Sequence, residues 1–419
     1  MGMTAIEKIL AKNSNQASVK PGDLVVVEVG TAILYDNNLI PANWRNILKV
    51  KHPDRVVMVF DHRVPAKDIM SAQAHSTGRK FVKKFGIKRF HDVGAEQGIS
   101  HVLVADHGYA LPGTVLVCGD SHTCSAGVFN CAARGTGSPD MLYAVTKGET
   151  WFKVGETVRY DLINNLSAPA STKDVILHIA NVYGDHATMN IEFGGPALTN
   201  LSMNARRTIT TMAAELSAEF ATFEPDPVML EYVRGKNPGV EFEEQYPDPD
   251  ANYHRRNTID LARIEPLVAL PDAVLNNSRP AAELEGERID QAFIGSCANG
   301  TLDDLAVASD MLGGRTVSKH VRLIVTPGSQ SIYRQALKAG YIEKIMDAGA
   351  VVTNATCGAC GGGHLGILSA GETCITASTR NFKGRMGDPD SRVFMASPAT
   401  VAASAIRGSI TDPRNIGNS

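Results

Sequence analysis

The stretch "TVLVCGDSHT", residues 114 to 123, shows the pattern that decides the fold. A short apolar run ends at a glycine and is followed at once by Asp120, Ser121 and His122. Such a run predicts a strand that is buried on both faces, as in a parallel sheet. The runs "LVVVEV" at 24–29 and "RVVMVF" at 55–60 predict further strands of this kind, and residues at near-helical spacing from Ile69 to Phe85 predict a helix between strands. The first third of the chain therefore reads as α/β.

The same alternation of strands and helices returns from about residue 285. Its predicted strands are "IDQAFIGSC" at 289–297, "VRLIVTP" at 321–327, "AVVTNATC" at 350–357, "TCITAS" at 373–378 and "RVFMAS" at 392–397. The sequence therefore predicts an α/β protein with three domains, at 1–160, 161–275 and 276–419. The middle domain includes a polar, Pro-rich excursion at 225–256 that has little periodicity.

Two local patterns lie between these α/β regions. The segment "WFKVGETVRYDL" at 151–162 resembles a hairpin, and it is where the first domain boundary is predicted. After it, Ile209, Met212, Leu216 and Phe220 fall on one stripe and predict a long helix, with Glu215 at the edge of that stripe.

Composition excludes several classes of function. The chain has 419 residues, of which 43% are hydrophobic and 20% charged, and its net charge of −3 gives no case for binding nucleic acid or an anionic membrane. No apolar run is long enough to span a bilayer, and the N-terminus lacks the apolar core of a signal peptide. Seven cysteines in a chain of this length argue against a disulfide framework, so we expect a reducing cytoplasm.

Polar segments follow the predicted strands at their carboxyl ends. These segments are "FDHR" at 60–63, "CGDSHT" at 118–123, "GSCANG" at 295–300, "ATCGAC" at 355–360 and "ASTRNF" at 377–382. In open parallel α/β sheets, ligands bind at this edge. We therefore expect residues from both α/β regions to face one cleft.

The pair Cys357 and Cys360 allows three interpretations. A redox dithiol needs the pair at a helix start, but "GGGHLG" is a poor opening for a helix. Structural zinc needs four ligands, and only Cys297 with either Cys374 or His364 remains to complete them. The third interpretation adds Cys297 alone, so that three thiolates hold three corners of an iron–sulfur cubane and leave one iron open as a Lewis acid.

The remaining cysteines are expected to be small core residues. They are Cys118, Cys124, Cys131 and Cys374.

Taken together and in this order, several motifs resemble the aconitase superfamily. They are "FDHRVPA", "GISHVLVADHGYALPGTVLVCGDSHT", "MAAEL", "GSCANG", "TCGACGGG" and "STRNFKGRMG". The resemblance covers nearly the whole chain and is nearest to the branch whose large subunits are separate chains, the 3-isopropylmalate dehydratase and homoaconitase type. Two departures are Ala298, where the family commonly has Thr, and Thr379, where it commonly has Asn.

This resemblance implies a fold, a cofactor and a partner. The fold is an α/β, three-domain aconitase-like body with parallel and mixed sheets around a central cleft, lacking the family's swivelling fourth domain. The cofactor is a [4Fe-4S] cluster with one open iron, held by Cys297, Cys357 and Cys360. Because the sequence ends at Ser419, soon after "SPATVAASAIRGSI", we expect a small subunit to supply the swivelling domain and the catalytic serine.

The implied reaction is the dehydration and rehydration of a 2-hydroxy dicarboxylic acid. The favoured version interconverts 3-isopropylmalate and 2-isopropylmalate in leucine biosynthesis. Homoaconitate and 2,3-dimethylmalate are alternative substrates, and an RNA-binding iron–sulfur regulator or a thiol oxidoreductase are alternatives of another class.

The resemblance also assigns roles to residues. His62 is the expected acid, and the catalytic carboxylate–histidine pairs are Asp61 with His62, Asp120 with His101, and Glu215 with His122. Substrate binding is assigned to Ser121, Arg380 and Arg385. Guanidinium groups suit carboxylates, and the two arginines reach one ligand only if the chain turns at Gly384.

Overall fold

The computed structural model describes residues 2–417, which form two compact units. Within the described residues, the first unit comprises 2–93, 100–165 and 186–260, and the second comprises 94–99, 166–185 and 261–417. The three-domain division with boundaries near 160 and 275 stays a prediction.

Strands and short helices alternate along most of the chain. The strands are β1 (Leu24–Glu28), β2 (Thr31–Tyr35), β3 (Val56–Val59), β4 (Arg89–His91), β5 (Val115–Cys118), β6 (Ala132–Gly135), β7 (Glu149–Lys153), β8 (Glu156–Ile163), β9 (Met189–Gly194), β10 (Ala221–Phe223), β11 (Arg255–Asp260), β12 (Leu267–Ala269), β13 (Ser278–Pro280), β14 (Gln291–Ile294), β15 (Arg322–Val325), β16 (Val351–Val352), β17 (Thr373–Thr376) and β18 (Arg392–Ala396). The α-helices are α1 (Ala5–Asn13), α2 (Ile69–Phe85), α3 (Ser100–His107), α4 (Ser138–Lys147), α5 (Thr172–Tyr183), α6 (Met203–Met212), α7 (Pro227–Lys236), α8 (Ser296–Asn299), α9 (Leu302–Leu312), α10 (Gln330–Lys338), α11 (Tyr341–Asp347) and α12 (Pro398–Arg407).

Two parallel sheets form the centre of the first unit. One has the strand order β4-β3-β2-β5-β6. The other has the order β10-β9-β8-β11. Strands β3 and β5 are buried along their whole length, because their continuous apolar runs are covered on both faces. The parallel strands predicted from "RVVMVF" and "TVLVCG" are confirmed.

Two sequence predictions in the first unit are wrong. The run "LVVVEV" forms β1, which pairs antiparallel with β7 and alternates between exposed and buried residues. Leu24 is 70% exposed and Val26 54%, so apolar side chains occupy the outward positions and hide the alternation. The segment "WFKVGETVRYDL" is not a hairpin, since β7 pairs with β1 whereas β8 pairs with β9 and β11.

The second unit is built on a mixed sheet of seven strands. Its order is β13-β12-β18-β17-β14-β15-β16. Strands β14 to β18 are parallel, and β12 runs antiparallel to both of its neighbours. The predicted α/β class with parallel and mixed sheets is confirmed.

Capping residues start the helices that follow strands of this sheet. Thr301 forms a capping box with Asp304 at the start of α9, Ser329 caps α10, and Ser397 caps α12. In each case a hydroxyl oxygen accepts a main-chain N–H that would otherwise lack a partner in the helix. The lengths of the connections between strand ends and helices are thereby fixed.

The helix predicted through residues 209–220 is shorter than expected. Helix α6 ends at Met212, a 3₁₀ turn spans Ala213–Leu216, and Ser217 has a φ of 61° that stops the helix. The excursion at 225–256 is also more regular than predicted, because it contains α7, which Asp226 caps and Pro227 begins. No helix among residues 2–417 is both long and apolar enough to cross a bilayer.

A buried ion network holds the four-stranded sheet together and gives a stability prediction. Arg159 donates to Asp161 (2.8 Å), Glu192 (2.8 Å) and Glu224. Glu192 is fully buried, and burial raises the pKa of its carboxyl group. Arg159→Met leaves this carboxylate without its cation, so we expect the free energy of unfolding to fall by about 3–5 kcal/mol at pH 8.

The loss should be smaller at pH 5, because protonation of Glu192 removes the unpaired charge. Denaturant unfolding at the two pH values measures both effects. The control is Arg256→Met, whose side chain is 60% exposed and lies 3.9 Å from Asp161. Equal effects of the two substitutions would contradict the assigned role of Arg159.

Candidate functional site

The first part of the candidate site lies at the carboxyl edge of the five-stranded sheet. Asp61 and His62 follow β3 directly, and Asp120 follows β5. Asp120 caps the 3₁₀ segment Ser121–Phe129 by accepting the N–H of His122 at 2.8 Å. Strands β3 and β5 flank β2 in parallel, so their carboxyl ends share one edge.

His62 lies between two carboxylates. Its Nδ1 is 2.6 Å from Asp61 Oδ1, and its Nε2 is 3.5 Å from Asp120 Oδ2. Burial alone would lower the pKa of His62, but the charges and hydrogen bonds of Asp61 and Asp120 outweigh it and raise the pKa well above its usual value. With 27% of its side chain exposed, His62 is a protonated acid that solvent can reach.

Asp120 is shared by three imidazoles. It accepts a hydrogen bond from His101 Nε2 at 2.8 Å, and His122 Nδ1 lies at 3.4 Å. Burial would raise the pKa of Asp120, but the contacts with His101, His122 and His62 hold it well below the usual value. Asp120 is therefore a carboxylate throughout the neutral range.

The third pair joins His122 to Glu215. His122 Nε2 is 3.0 Å from Glu215 Oε1, and both side chains are buried. Glu215 was expected at the edge of a long helix, but it lies in the 3₁₀ turn after α6 and is 7% exposed. The structure thus brings all three expected carboxylate–histidine pairs into contact, and their catalytic roles stay predictions.

Ser121 is the one expected residue of this edge with an exposed position. It begins the 3₁₀ segment after Asp120.

Sequence analysis missed Asp36, which follows β2 at this same edge. It is 1% exposed and accepts the main-chain N–H of Arg63 at 2.8 Å and of His62 at 3.4 Å. Asp36 therefore fixes the turn that presents His62. The signal that could have found it is its place directly after the apolar run "TAILY", where a strand ends.

The second part of the candidate site lies at the carboxyl edge of the seven-stranded sheet. Cys297 follows β14 through Ser296, whose φ is 76°, and Cys357 and Cys360 follow β16. Cys297 and Cys360 are each 6% exposed, and Cys357 is half-buried. Strand β15 separates β14 from β16, and all three are parallel, so the three thiols come from one edge of the sheet.

A glycine lets the loop of Cys357 and Cys360 lie against the strand ends. Gly358 has a φ of +61°, and a Cβ there would lie 2.7 Å from Thr326 Oγ1 and 2.9 Å from Phe293 Cζ. Any larger residue would push the loop away from β14 and β15. This close approach accounts for the glycine between the two cysteines.

Polar groups surround two of the sulfurs. Ser296 Oγ lies 3.7 Å from Cys297 Sγ, and Thr379 Oγ1 lies 3.7 Å from Cys360 Sγ. Arg385 Nη2 donates to Cys360 Sγ at 3.6 Å. Hydrogen bonds of this kind stabilise thiolates, and they tune the reduction potential of a cluster that the thiolates ligate.

Arg380 and Arg385 lie on either side of a turn, as the sequence predicts. Gly384 has a φ of +73°, and the N–H of Arg385 bonds to the carbonyl of Phe382 at 2.8 Å. The guanidinium of Arg380 lies 5.9 Å from the centre of the Phe382 ring. The chain direction therefore reverses between the two arginines.

The donor set at this edge suits an iron–sulfur cluster better than the two alternatives. Cys360 lies in a 3₁₀ turn of four residues, Gly358–Gly361, rather than at the start of the α-helix that a thioredoxin-like dithiol uses. Cys374 is a poor fourth zinc ligand, because it is fully buried in β17 and burial raises the pKa of its thiol to about 12. Three soft sulfurs with nearby hydrogen-bond donors fit a cubane.

Three further cysteines behave as core residues. Burial raises the pKa of Cys131 to about 12 and that of Cys118 as well. Cys124 is 3% exposed.

The sequence model of the Aconitase family (aconitate hydratase) matches residues 42–277 and 272–408. The chain belongs to the aconitase family. Proteins of this family generally bind a [4Fe-4S] cluster. The superfamily predicted from the sequence motifs is therefore confirmed.

Curated relatives cover the chain from end to end. The 3-isopropylmalate dehydratase large subunit of Mycolicibacterium smegmatis is 48% identical over 99% of this chain and 98% of its own length. Large subunit 1 of that enzyme from Methanopyrus kandleri is 41% identical over 99% of each chain. The large subunit from Aquifex aeolicus is 42% identical over 99% of this chain and 98% of its own.

One solved structure, aconitase X of Thermococcus kodakaraensis in its holo form, matches 85% of this chain and 84% of its own. The identity is 13% and the TM-score is 0.49.

The shared carboxylate gives a prediction for Asp120→Asn. The substitution removes the negative charge that contacts three imidazoles, so the pKa of His62 should fall toward its usual value near 6.5. The raised pKa of His62 stabilises the fold below about pH 6.5, and this contribution is lost as pH rises through the raised value. The lowered pKa of Asp120 stabilises the fold above about pH 4.

Asp120→Asn should therefore lower the free energy of unfolding most between about pH 4 and pH 6.5, where both contributions are present. Histidine-selective ¹⁵N NMR measures the titration, and denaturant unfolding measures the stability. Asp54→Asn, at an exposed residue of the same unit, is the control. An unchanged titration of His62 in Asp120→Asn would contradict the assignment.

Proposed function

We propose that this chain is the large, cluster-bearing subunit of a hydro-lyase that interconverts 2-isopropylmalate and 3-isopropylmalate in leucine biosynthesis. The observation that carries this proposal is the 48% identity over 99% of the chain with a protein named 3-isopropylmalate dehydratase large subunit. The carboxylate–histidine pairs and the three strand-end thiols supply the chemical groups that such a reaction needs.

In this proposal Cys297, Cys357 and Cys360 hold a [4Fe-4S] cluster. When bound, the cluster supplies a Lewis acid for the substrate hydroxyl at an iron that no protein thiolate ligates. Three polar groups 3.6–3.7 Å from two of the sulfurs stabilise the thiolate form. They are the hydroxyls of Ser296 and Thr379 and the guanidinium of Arg385.

His62 is the proposed acid for the departing hydroxyl. His62 Nδ1 donates a hydrogen bond to Asp61 at 2.6 Å, and this bond fixes the ring. Nε2 then carries the proton that is transferred to the hydroxyl. The raised pKa keeps this proton on His62 near neutral pH, and a departing hydroxide is basic enough to take it. The reverse reaction uses the same group as a base toward water.

The other two pairs are proposed to orient imidazole rings. Asp120 fixes the His101 ring, and Glu215 fixes the His122 ring, each through one nitrogen. Rings held in this way are proposed to bind a hydroxyl or water with a defined orientation. Arg380, Arg385 and Ser121 are the proposed groups that bind substrate carboxylates.

A small subunit is the proposed partner, since relatives of this chain are named large subunits. We propose that it supplies the swivelling domain and the serine that removes the C–H proton. Selectivity between substrates then depends partly on that subunit. The cytoplasm is the proposed location.

Cys297→Ser tests the cluster. A thiol lost from three ligands should reduce iron and sulfide after anaerobic reconstitution to a small fraction of the wild-type content, and turnover should fall by about a hundredfold or more. The control is Cys131→Ala, a fully buried core cysteine of the first unit, which should keep both iron and turnover. Wild-type iron content and turnover in Cys297→Ser would contradict the ligand assignment.

The substrate is tested by co-expression with candidate small subunits and an assay of hydration across a panel. The panel contains the unsaturated partners of isopropylmalate, homocitrate and 2,3-dimethylmalate. The proposal predicts the highest kcat/KM for the isopropylmalate pair. A higher kcat/KM for another member of the panel would assign that substrate instead.

A further inference from the structure

We propose that Lys173 is a positioning residue for Arg380. In this proposal its buried ammonium group holds the main-chain turn, residues 377–381, that presents the guanidinium to a substrate carboxylate. The role of Arg380 rests on the proposed function, whereas the hold on the turn does not.

Lys173 lies at a position where a lysine side chain destabilises the fold unless its charge is compensated. It is the second residue of α5 and is fully buried. A cation in the first turn of a helix opposes the helix dipole, and burial of an ammonium group is unfavourable unless it is hydrogen-bonded. Two main-chain carbonyls meet this need, since Lys173 Nζ donates to Ala377 O at 3.2 Å and to Ser378 O at 2.6 Å.

These carbonyls belong to the turn that carries Arg380. Strand β17 ends at Thr376, so Ala377 and Ser378 are the first residues after the strand. At the far end of the turn, fully buried Asn381 donates through Nδ2 to Leu270 O at 2.6 Å. Arg380 therefore sits in a short segment that is anchored on both sides.

The side chain of Ser378 does not anchor the turn. Its Oγ is fully buried and has no hydrogen-bond partner within the part of the chain that the structure describes, residues 2–417. The N–H of Ser378 donates to Thr376 Oγ1 at 3.0 Å and helps to orient the Ala377–Ser378 peptide, whereas the carbonyl of the Ser378–Thr379 peptide is held by its bond to Lys173 Nζ. Because a trans peptide points its C=O and N–H in opposite directions, this bond also sets the direction in which Thr379 and Arg380 leave the strand.

Asp174 provides a matched control in the same helical turn. It is also fully buried, but its carboxylate accepts the N–H of Leu267 at 2.9 Å and of Ser171 at 2.7 Å, rather than groups of the turn at 377–381. Asp174→Asn should therefore change stability without changing how Arg380 is held.

The test compares wild type, Lys173→Met, Lys173→Arg and Asp174→Asn as full chains after anaerobic reconstitution. Hydrogen–deuterium exchange of peptides covering 377–385 reports on the turn, and steady-state kinetics with the small subunit report on substrate binding. Lys173→Met should speed exchange in these peptides and raise KM about tenfold or more, with a smaller change in kcat. For Lys173→Arg, the exchange rate and KM should lie between those of wild type and Lys173→Met. Asp174→Asn should leave both the exchange at 377–385 and KM unchanged.

Each result decides one part of the proposal. Unchanged exchange at 377–385 in Lys173→Met would overturn the hold on the turn. Faster exchange with an unchanged KM would overturn the positioning role. If Lys173→Met does not fold, Lys173→Arg decides by the same two measurements, because the larger, planar guanidinium keeps the charge but cannot place a single nitrogen where Lys173 Nζ contacts both carbonyls. A wild-type complex without turnover on any substrate would refute the proposed function, and the exchange result would still decide whether Lys173 holds the turn.

Discussion

Burial alone would raise the pKa of Asp120, but three imidazoles lower it and keep the carboxylate ionised. The resulting negative charge in turn keeps a proton on His62. The proposed role of His62 depends on this mutual effect, because an acid is useful only if it holds its proton until the leaving group takes it. Removing either charge would take one partner from the other, leaving Asp61 beside His62, or His101 and His122 beside Asp120.

The fold makes this arrangement possible by ending its strands at one edge. Residues within β3 and β5 are fully buried and apolar, so polar side chains are accommodated only after Val59 and Cys118. Parallel pairing with β2 then places Asp36, Asp61 and Asp120 side by side along that edge. In the second unit, the edge formed by β14, β15 and β16 places the cysteines by the same rule.

Much of this was predictable from sequence, because an apolar run followed at once by Asp, His or Cys identifies both the strand and its functional end. That rule found β3, β5 and β14 and the Asp, His and Cys residues that follow these strands. It failed at "LVVVEV", where Val26 and Trp151 are register partners on an exposed face, so the alternation that marks a half-exposed strand is absent from the letters. Asp36 was missed although it follows the apolar run "TAILY" directly, because that run was not among the predicted strands.

Helix limits and burial were less predictable than strand ends. Apolar spacing continues beyond Met212, but the left-handed backbone of Ser217 ends the helical segment, and side-chain spacing does not report a backbone angle. Glu215 lies in the 3₁₀ turn just before Ser217, where it is buried against His122. Lys173 likewise looks like an ordinary helical lysine until its contacts with Ala377 and Ser378 are seen.

The central claim is that three sulfurs, from Cys297, Cys357 and Cys360, hold a cubane with one iron left open. Mössbauer spectroscopy of the ⁵⁷Fe-reconstituted, oxygen-free protein tests it most directly. The account predicts four irons per chain, one of which changes its signal when the substrate is added while the other three do not. Four irons whose signals all stay unchanged when the substrate is added, or the absence of a cluster, would contradict the claim.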